Sequence, residues 1–361
     1  MTCLPAGRLI KPVQENMSKI LIVGNSMAVN GAIENIRKED EQSDITLFCT
    51  EGAFPYDRLT LPSFIAGQIK ESQTHPLTED FFKKHHVNVI ASEKLSRISF
   101  KRRYLTTENK TQINYDKLLI ADLGSLMALS VKGQQKSGVF DCSLLSSVKK
   151  LIKYLPFTDT VFVMVTNMQG FNTACALHGL GKEVIIITSD NGLLSSFLDD
   201  ETGALLKQIV ENKGIRVVMD NTIEEILGDS EVKAVKLQNG KVVAAQMVVA
   251  DFLPLDWRLA EEGNSAYQKI DDNYFAIHLP LKSAHFGFKV LDGFCTGFTK
   301  LPQGGREYLK FDGPANVFKK IFAQGDLLVG AVLFNASSHE EQILKTINEH
   351  VPVAGQEEAL L

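Results

Sequence analysis

Apolar runs of strand length alternate with segments of helical periodicity along most of the chain. From Lys19, KILIVGN is a continuous apolar run, AVNGAIENIRKE has helical spacing, and DITLFC is a second apolar run. This order predicts a strand, a helix and a strand in a parallel sheet buried on both faces. Short, partly alternating segments then predict a β-meander, with a polar turn at 108–110, that returns to the sheet at KLLIADLG.

The same architecture is predicted a second time, after a helix in CSLLSSVKKLIKYL for which Asp141 is the expected cap. TVFVMV predicts a strand, FNTACALHGLG a helix, EVIIIT a strand, and DETGALLKQIVENKG a helix that ends at glycine. A meander with a hairpin turn at Asn239-Gly240 follows. The chain therefore contains an internal duplication of fold rather than of sequence.

Beyond Pro254 the pattern weakens. NYFAIHLP predicts a strand that returns to the first sheet, and from about residue 284 we expect a small α+β module. The module contains a hairpin around Gly325 and Asp326 and ends in the helix HEEQILKTINEH.

Length, charge and cysteine spacing narrow the class of protein. The 361 residues suffice for two or three domains, and 38 basic against 43 acidic residues, without long runs of either sign, do not indicate a nucleic-acid or lipid surface. A small molecule or a protein is the expected partner. Apolar runs are too short to span a bilayer and no signal-peptide pattern is present, so we expect a cytoplasmic protein without a membrane partner. The five cysteines have neither disulfide nor metal spacing, and Cys49 and Cys175 are expected to be buried thiols.

Both strand–turn–helix segments occur where a Gly-x-Gly-x-x-Gly turn would bind a dinucleotide phosphate. The first turn reads Gly24-Asn25-Ser26-Met27-Ala28-Val29, and the second has Val165, Asn167 and Gly170 at the corresponding positions. A side chain at the second position restricts the approach of the pyrophosphate, and one at the third restricts helix–strand packing.

Several longer phrases resemble the pyridine nucleotide-disulfide oxidoreductase superfamily, in its branch of rubredoxin reductases and nitrite reductase flavin domains. They are EQSDITLFCTEGAFPYDRLTLPSFIAG, INYDKLLIADLGS, GVFDCSLLSSVKKLI and KKIFAQGDLLVGAVLF. The resemblance implies an α/β fold with two nested Rossmann-like FAD- and NAD(P)-binding domains and a small α+β C-terminal domain. The expected boundaries are an extension at 1–17, an FAD-binding-like domain at 18–127 and 252–283, an NAD-binding-like domain at 128–251, and an interface domain at 284–361.

For FAD, the resemblance implies contacts from Gly24, Ser26, Glu51 and Arg58, with Glu51 accepting hydrogen bonds from the adenosine ribose. The returning strand has lost the family's flavin-binding Gly-Asp, since His278 lies in that region. The helix that points its N-terminus at the flavin ring has no counterpart in the sequence, although its dipole would stabilise the reduced flavin. FAD binding is expected to be impaired, and FAD or AMP held as a structural ligand is an intermediate possibility.

For NAD, the resemblance implies a site lined by Gly170 and Thr188. Two of the three glycines are replaced, Thr188 stands where an acid would read the ribose, and Asn172 replaces a glutamate near the nicotinamide. These changes argue against specific NAD binding. Trp257 either covers a vacated cofactor cleft or, as we favour, fills a domain junction. No redox thiol pair and no metal site are expected.

Two functions remain open. The favoured one is a non-catalytic or weakly cofactor-binding subunit of an electron-transfer complex, which docks a partner or forms homo-oligomers through its C-terminal domain. The alternative is an active FAD-dependent NADH oxidoreductase that passes electrons to a small redox protein, with the phosphates bound by backbone N–H groups.

Overall fold

The computed structural model describes residues 17–51, 54–91, 93–121, 131–250, 291–315, 317–355 and 360, together with the backbone of strands at 267–271, 274–277 and 283–286. The predictions made for Trp257 and His278 lie outside the described residues. Among the described helices, none is both long and apolar enough to cross a membrane.

The strands follow the predicted periodicity closely. In chain order they are β1 (Lys19–Val23), β2 (Asp44–Phe48), β3 (Val87–Ile90), β4 (Leu95–Ser99), β5 (Tyr104–Thr107), β6 (Gln112–Asn114), β7 (Lys117–Ile120), β8 (Val139–Asp141), β9 (Thr160–Met164), β10 (Glu183–Ile187), β11 (Arg216–Val218), β12 (Ile223–Leu227), β13 (Ala234–Leu237), β14 (Val242–Ala244), β15 (Met247–Ala250), β16 (Tyr267–Asp271), β17 (Tyr274–Ile277), β18 (Ser283–Phe286), β19 (Gly293–Gly297), β20 (Arg306–Asp312), β21 (Val317–Gln324) and β22 (Leu327–Phe334).

The α-helices connect these strands or cover the sheets. They are α1 (Ala28–Glu39), α2 (Leu61–Ile65), α3 (Glu79–Lys84), α4 (Leu145–Tyr154), α5 (Met168–Gly179), α6 (Asp200–Asn212) and α7 (Glu340–Asn348).

The chain forms two compact units, and the first comprises Met1–Phe54, Leu77–Asp122 and Tyr267–Ile277. Its six-stranded sheet has the order β16-β17-β7-β1-β2-β3, with β17, β7, β1, β2 and β3 mutually parallel. Strand β17 pairs with β7 where the NYFAIHLP segment was expected to return, which confirms that prediction. The predicted meander is the antiparallel sheet β4-β5-β6.

The second unit comprises Pro55–Pro76, Leu123–Ala266 and His278–Leu361. It contains the parallel sheet β11-β10-β9-β15-β8, the meander β12-β13-β14, and the antiparallel sheet β18-β19-β22-β21-β20. The β-α-β order of β1, α1 and β2 therefore recurs in β9, α5 and β10, so the predicted duplication of fold is confirmed.

A single apolar core joins the parallel sheet of the second unit to its C-terminal sheet. Buried residues of β9 and α5, such as Val163 and Phe171, belong to the same cluster as Phe318, Phe322 and Phe334 of the C-terminal sheet. The predicted division of this region into domains at 128–251 and 284–361 stays a prediction, since the two segments share their core.

Lys320 of β21 carries a buried charge, with only 2% of its side chain exposed. Its Nζ lies 3.0 Å from Asp199 Oδ2, 3.2 Å from Glu201 Oε2 and 3.4 Å from Glu307 Oε2. Burial alone would lower the pKa of Lys320, but the hydrogen bonds and charges of these carboxylates raise it, so the residue is a cation at neutral pH. Asp199 also caps α6 by accepting a bond from the Thr202 amide at 2.9 Å.

The expected capping of α4 by Asp141 is wrong. The cap residue is Leu144, which makes no side-chain cap bond. Asp141 Oδ1 instead accepts hydrogen bonds from the amide and hydroxyl of Ser143, at 2.8 and 2.6 Å. Ser143 forms a tight local turn around the carboxylate. The Asp141 oxygen that could have capped the helix is therefore already bonded.

Tyr56 supplies the missing partner at the start of α4. Its fully buried hydroxyl accepts a hydrogen bond from the Leu145 amide at 3.1 Å and lies 3.2 Å from the Ser143 carbonyl, to which it donates. One side chain from a distant segment thus satisfies two backbone groups of the second unit.

We expect Tyr56→Phe to lower the free energy of unfolding by about 1–3 kcal/mol, because it leaves the buried Leu145 amide without an acceptor. Denaturant titration followed by circular dichroism measures the change. Tyr154→Phe is the matched control, since Tyr154 is only half-buried, and it should shift the midpoint much less. Equal midpoints for the two variants would contradict the role assigned to the Tyr56 hydroxyl.

Candidate functional site

The first turn, between β1 and α1, retains the backbone geometry that requires glycine at its first position. Gly24 has φ 147°, a conformation that L side chains rarely adopt, and its amide donates to the Phe48 carbonyl at 3.1 Å. The turn therefore begins at the carboxyl edge of the parallel sheet, beside the end of β2. This is the edge at which α/β sheets bind ligands.

Asn25 holds the turn to the segment after β2. Its side chain is completely buried, and its Oδ1 accepts hydrogen bonds from Thr50 Oγ1 at 2.9 Å and from the Glu51 amide at 3.1 Å. This role of Asn25 was not predicted from the sequence. The available signal was a small polar residue directly after a buried strand, in a turn that needs an internal acceptor.

Ser26 stands at the second glycine position, and its hydroxyl donates to the Ala121 carbonyl at 3.1 Å. This bond joins the turn to the end of β7. The helix that follows begins at Ala28, and no side chain caps it: the cap residue, Met27, makes no side-chain bond. Val29 at the third glycine position is fully buried among the apolar side chains of α1 and the sheet. The Val29 and Asn30 amides donate instead to the backbone carbonyls of Ser26 and Met27, each at 3.1 Å.

Glu51 lies three residues beyond β2 and is half-buried, with its backbone fixed by Asn25. Gly24, Ser26 and Glu51 therefore all lie at one edge of the first sheet, and their contact with FAD stays a prediction. Burial, together with the charge of Glu51, raises the pKa of neighbouring Cys49 to about 12, so this thiol is protonated at neutral pH.

Arg58, the fourth residue predicted to contact FAD, belongs to the second unit. It begins a short 3₁₀ turn at Arg58–Thr60 that is capped by Asp57, whose Oδ1 accepts from the Leu59 amide at 3.0 Å. Its charge acts on Asp141: burial raises the pKa of that carboxyl, while the Ser143 bonds and the Arg58 charge oppose the rise. Its predicted contact with FAD stays a prediction.

The second turn has a different local structure. The Val165 amide donates to the Ile187 carbonyl at 2.9 Å, which is the bond that Gly24 makes in the first turn, so the two positions are equivalent. Asn167 is the cap of α5, and its Oδ1 accepts from the amides of Gln169 at 2.8 Å and Gly170 at 3.1 Å. The side chain at the second glycine position thus occupies N–H groups that would otherwise bind a phosphate.

Thr188 is buried at the end of β10 and bonds within its own loop. Its Oγ1 accepts from the Asp190 amide at 3.2 Å. The Thr188 amide donates to Val218 at 3.0 Å, as the Cys49 amide donates to Ile90 at 2.9 Å.

By this equivalence Asp190 corresponds to Glu51. This acid was not predicted from the sequence, because the ribose-binding acid was expected at the position of Thr188. Asp190 Oδ2 accepts a short hydrogen bond of 2.5 Å from Ser195 Oγ, so its carboxylate is already engaged within the loop.

The two turns therefore differ in their fit to a nucleotide phosphate. The first has the glycine conformation, a small residue at the second position and a helix start without a side-chain cap. The second lacks a positive φ at Val165, and the first turn of its helix is capped by Asn167. The first turn fits a pyrophosphate group, whereas the second fits one poorly.

Other redox and metal chemistry finds little support in the described side chains. Cys49 and Cys175 are buried, as predicted, and so are Cys142 and Cys295. Burial raises the pKa of Cys175 as well. Within the described part of the chain, no three His, Cys, Asp or Glu residues are grouped to hold a metal ion.

Comparisons with known proteins place the chain in context. It is 24% identical over 232 residues to the assimilatory nitrate reductase electron transfer subunit of Bacillus subtilis (strain 168), which covers 64% of this chain and 30% of that protein. It is also 24% identical over 232 residues to the rubredoxin-NAD(+) reductase of Ectopseudomonas oleovorans, with 64% of this chain and 60% of that protein covered. The match thus spans less than two thirds of either relative.

The fold is shared with solved reductases. A chain of the covalent putidaredoxin reductase–putidaredoxin complex superposes with a TM-score of 0.74 over 93% of this chain and 94% of that chain, at 14% identity. The sequence model that describes the pyridine nucleotide-disulphide oxidoreductases matches residues 18–251, which is well over half of the chain. The predicted resemblance is confirmed: this chain belongs to the pyridine nucleotide-disulphide oxidoreductase family.

Proposed function

We propose that the protein is a non-catalytic or weakly cofactor-binding subunit of an electron-transfer complex. In this proposal the first turn binds an adenine nucleotide, FAD or AMP, while the second no longer binds NAD(P) specifically. The observation that carries the proposal is the Asn167 side chain, which caps the helix at the position where the family binds the NAD pyrophosphate.

In the first unit, the proposed nucleotide contacts are Gly24, Ser26 and Glu51. The backbone at Gly24 and at the start of α1 would bind the pyrophosphate, since backbone N–H groups at a helix start donate to an anion. Glu51 would accept hydrogen bonds from the ribose hydroxyls, because a carboxylate is an acceptor for both. Bound FAD would supply a two-electron redox centre, and the residues described here would only bind and orient its adenosine diphosphate part. Arg58 would also contact FAD, as the family resemblance implies.

In the second unit, the proposed loss concerns NAD alone. Any nicotinamide dinucleotide would have to contact Gly170 and Thr188, yet the Gly170 amide is bonded to Asn167 and the Thr188 hydroxyl is bonded to its own loop. A phosphate would have to displace the Asn167 carbonyl, which costs about the 1 kcal/mol that a helix cap contributes.

The alternative, an active FAD-dependent NADH oxidoreductase, is favoured by one observation. Asp190 supplies a carboxylate two residues beyond Thr188, in the position equivalent to Glu51. If Ser195 released this carboxylate, it could accept hydrogen bonds from a ribose. The two functions therefore differ in whether Asn167 releases the Gln169 and Gly170 amides so that they can bind NADH.

A protein partner is part of either function. The relative from Bacillus subtilis is named an electron transfer subunit, and the solved structure is a reductase bound covalently to putidaredoxin. We propose that this chain likewise docks a redox protein, or assembles with itself, and that it works in the cytoplasm, where buried thiols such as Cys49 and Cys175 stay reduced.

The first experiment is an absorbance spectrum of the purified protein, followed by denaturation and chromatography of the released small molecule. Release of FAD or AMP would support a nucleotide site at the first turn. A colourless protein that releases no nucleotide and takes up neither FAD nor AMP on addition would contradict it. NADH oxidation at a rate typical of this family would establish the alternative function.

Replacing Glu51 tests the ribose contact. We expect Glu51→Ala to weaken FAD or AMP binding by about tenfold, since a hydrogen bond to a charged group contributes about 1.5–3 kcal/mol. The bond from the Glu51 amide to Asn25 is unaffected because it involves the backbone. Isothermal titration calorimetry measures the affinity, with Glu34→Ala, an exposed acid of α1, as the control. Unchanged affinity in Glu51→Ala would remove Glu51 from the site.

Replacing Asn167 tests whether its cap of α5 prevents NADH binding. We expect wild-type protein to show no saturable NADH binding at millimolar concentration, and Asn167→Gly to gain measurable binding because the Gln169 and Gly170 amides are released. The variant should lose only a few tenths of a kcal/mol of stability, against about 1 kcal/mol for Asn167→Ala.

The control for this prediction is Asn239→Gly, because Asn239 Oδ1 also accepts from a backbone amide, that of Lys241 at 3.0 Å, in an exposed hairpin. It should leave NADH binding unchanged. If wild-type protein already binds NADH tightly, or if Asn167→Gly binds no better than wild type, the cap is not what prevents binding.

A further inference from the structure

The loop at 189–198, between β10 and α6, carries Asp190 and has an unfavourable backbone conformation at Leu194. Leu194 has φ 57°, in the left-handed region where a Cβ is disfavoured, and only 3% of the residue is exposed. Leu193 and Leu198 are buried in the same apolar cluster. Such a conformation persists only where surrounding contacts hold it, so the loop can relax when those contacts are removed.

Ser195, the next residue, is bonded through both its side chain and its backbone. Its hydroxyl donates to Asp190 Oδ2 at 2.5 Å, within the loop. Its carbonyl accepts from Lys300 Nζ at 2.6 Å, and the Phe197 carbonyl accepts from Thr299 Oγ1 at 2.5 Å. Both donors follow β19 of the C-terminal sheet. Two residues that are distant along the chain thus fix the backbone that presents the Ser195 hydroxyl to Asp190.

Thr299 and Lys300 are held in turn by a tight bend at the end of β19. Gly297 has φ 61°, and a Cβ there would lie 2.1 Å from the Val329 carbonyl oxygen, so this position requires glycine. The Phe298 amide donates to the same carbonyl at 3.0 Å. The positions of the two donors therefore depend on β22, to which Val329 belongs.

We propose that Thr299 and Lys300 are positioning residues of the second nucleotide site. They hold the loop at 189–198 in the conformation in which the Ser195 hydroxyl occupies the Asp190 carboxylate. Release of the loop frees this carboxylate to accept hydrogen bonds from the hydroxyls of an adenosine ribose. The ligand is a dinucleotide with a free 2′-hydroxyl, since a 2′-phosphate would bring negative charge against Asp190.

This proposal rests on the proposed function only in taking the second β-α-β fold as the family's NAD site. The exchange of donors at Asp190 is nearly balanced, because a ribose hydroxyl donates to a carboxylate as a serine hydroxyl does. The half-buried Ser195 can then bond to water. Relaxation of Leu194 favours the released loop, whereas the bonds from Thr299 and Lys300 oppose it. These two bonds therefore decide which donor Asp190 has.

The side-chain carboxyl resonance of Asp190 tests the proposal without any nucleotide. In protein with isotope-labelled aspartate, assigned with Asp190→Asn, we expect Ser195→Ala to shift this resonance because the hydroxyl donor is lost. Thr299→Val/Lys300→Met should shift it in the same direction. Adding Ser195→Ala to that double variant should give the resonance of Ser195→Ala alone. Thr299→Ser/Lys300→Arg keeps both donors and should restore the wild-type position.

Nucleotide affinity provides a second measurement, in an Asn167→Gly background where the first amides of α5 are released. We expect Thr299→Val/Lys300→Met to tighten NADH binding by about tenfold and to leave NADPH binding unchanged. A loop that only lost stability would not gain affinity for one dinucleotide. Lys182→Met is the control and should change neither measurement, because Lys182 Nζ also donates to a backbone carbonyl, that of Thr158 at 2.7 Å.

Lys300→Met alone, on an exposed residue, gives the same tests if the double variant folds poorly. An Asp190 resonance that stays at its wild-type position in these variants would overturn the proposal. Equal tightening of NADH and NADPH, or an equal effect of Lys182→Met, would also overturn it. If Asn167→Gly alone binds no NADH, the role assigned to the Asn167 cap fails, while the Asp190 resonance still decides whether Thr299 and Lys300 position Ser195.

Discussion

The first N–H groups of a helix need acceptors, and this need shapes both turns that follow the central strands. A helix that starts at the carboxyl edge of a parallel sheet presents these donors to a crevice, where a phosphate or a side chain can accept from them. The cap residue of α1, Met27, supplies no side-chain acceptor, whereas Asn167 supplies one to α5. In the second turn, part of the chain itself thus accepts from the first N–H groups of the helix.

A side-chain cap satisfies the first N–H groups of a helix whether or not a phosphate is present. Removing a phosphate from an uncapped helix leaves its donors to water, while an asparagine cap bonds them permanently. The surrounding elements of the second unit are intact: β9 and β10 pair in parallel, and α5 is buried along most of its length. These elements are held together by contacts within the chain itself.

Much of the fold could be predicted because hydrophobic periodicity is local. The helix expected in AVNGAIENIRKE is α1, and the expected hairpin at Asn239-Gly240 joins β13 to β14. The site was less accessible. Asn25 bonds to the segment after β2, whose position depends on tertiary structure. Asn167 and Asp190 bond locally, to Gly170 and Ser195, but their equivalence to Ser26 and Glu51 becomes clear only from the backbone bonds between the parallel strands. Asp141 was misassigned because the sequence does not show which of several nearby donors reaches its carboxylate.

The buried cluster around Lys320 limits how this protein can be recombined. Its ammonium lies against Asp199 and Glu201 at the start of α6 and against Glu307 on β20. The C-terminal sheet therefore supplies the cation that pairs with acids of a helix from the second β-α-β fold. A chimera that takes its last seventy residues from a relative must bring a lysine in the same register of β21, or Asp199 loses its cation. The charge at this position of β21 and the acids that it contacts therefore have to be exchanged together.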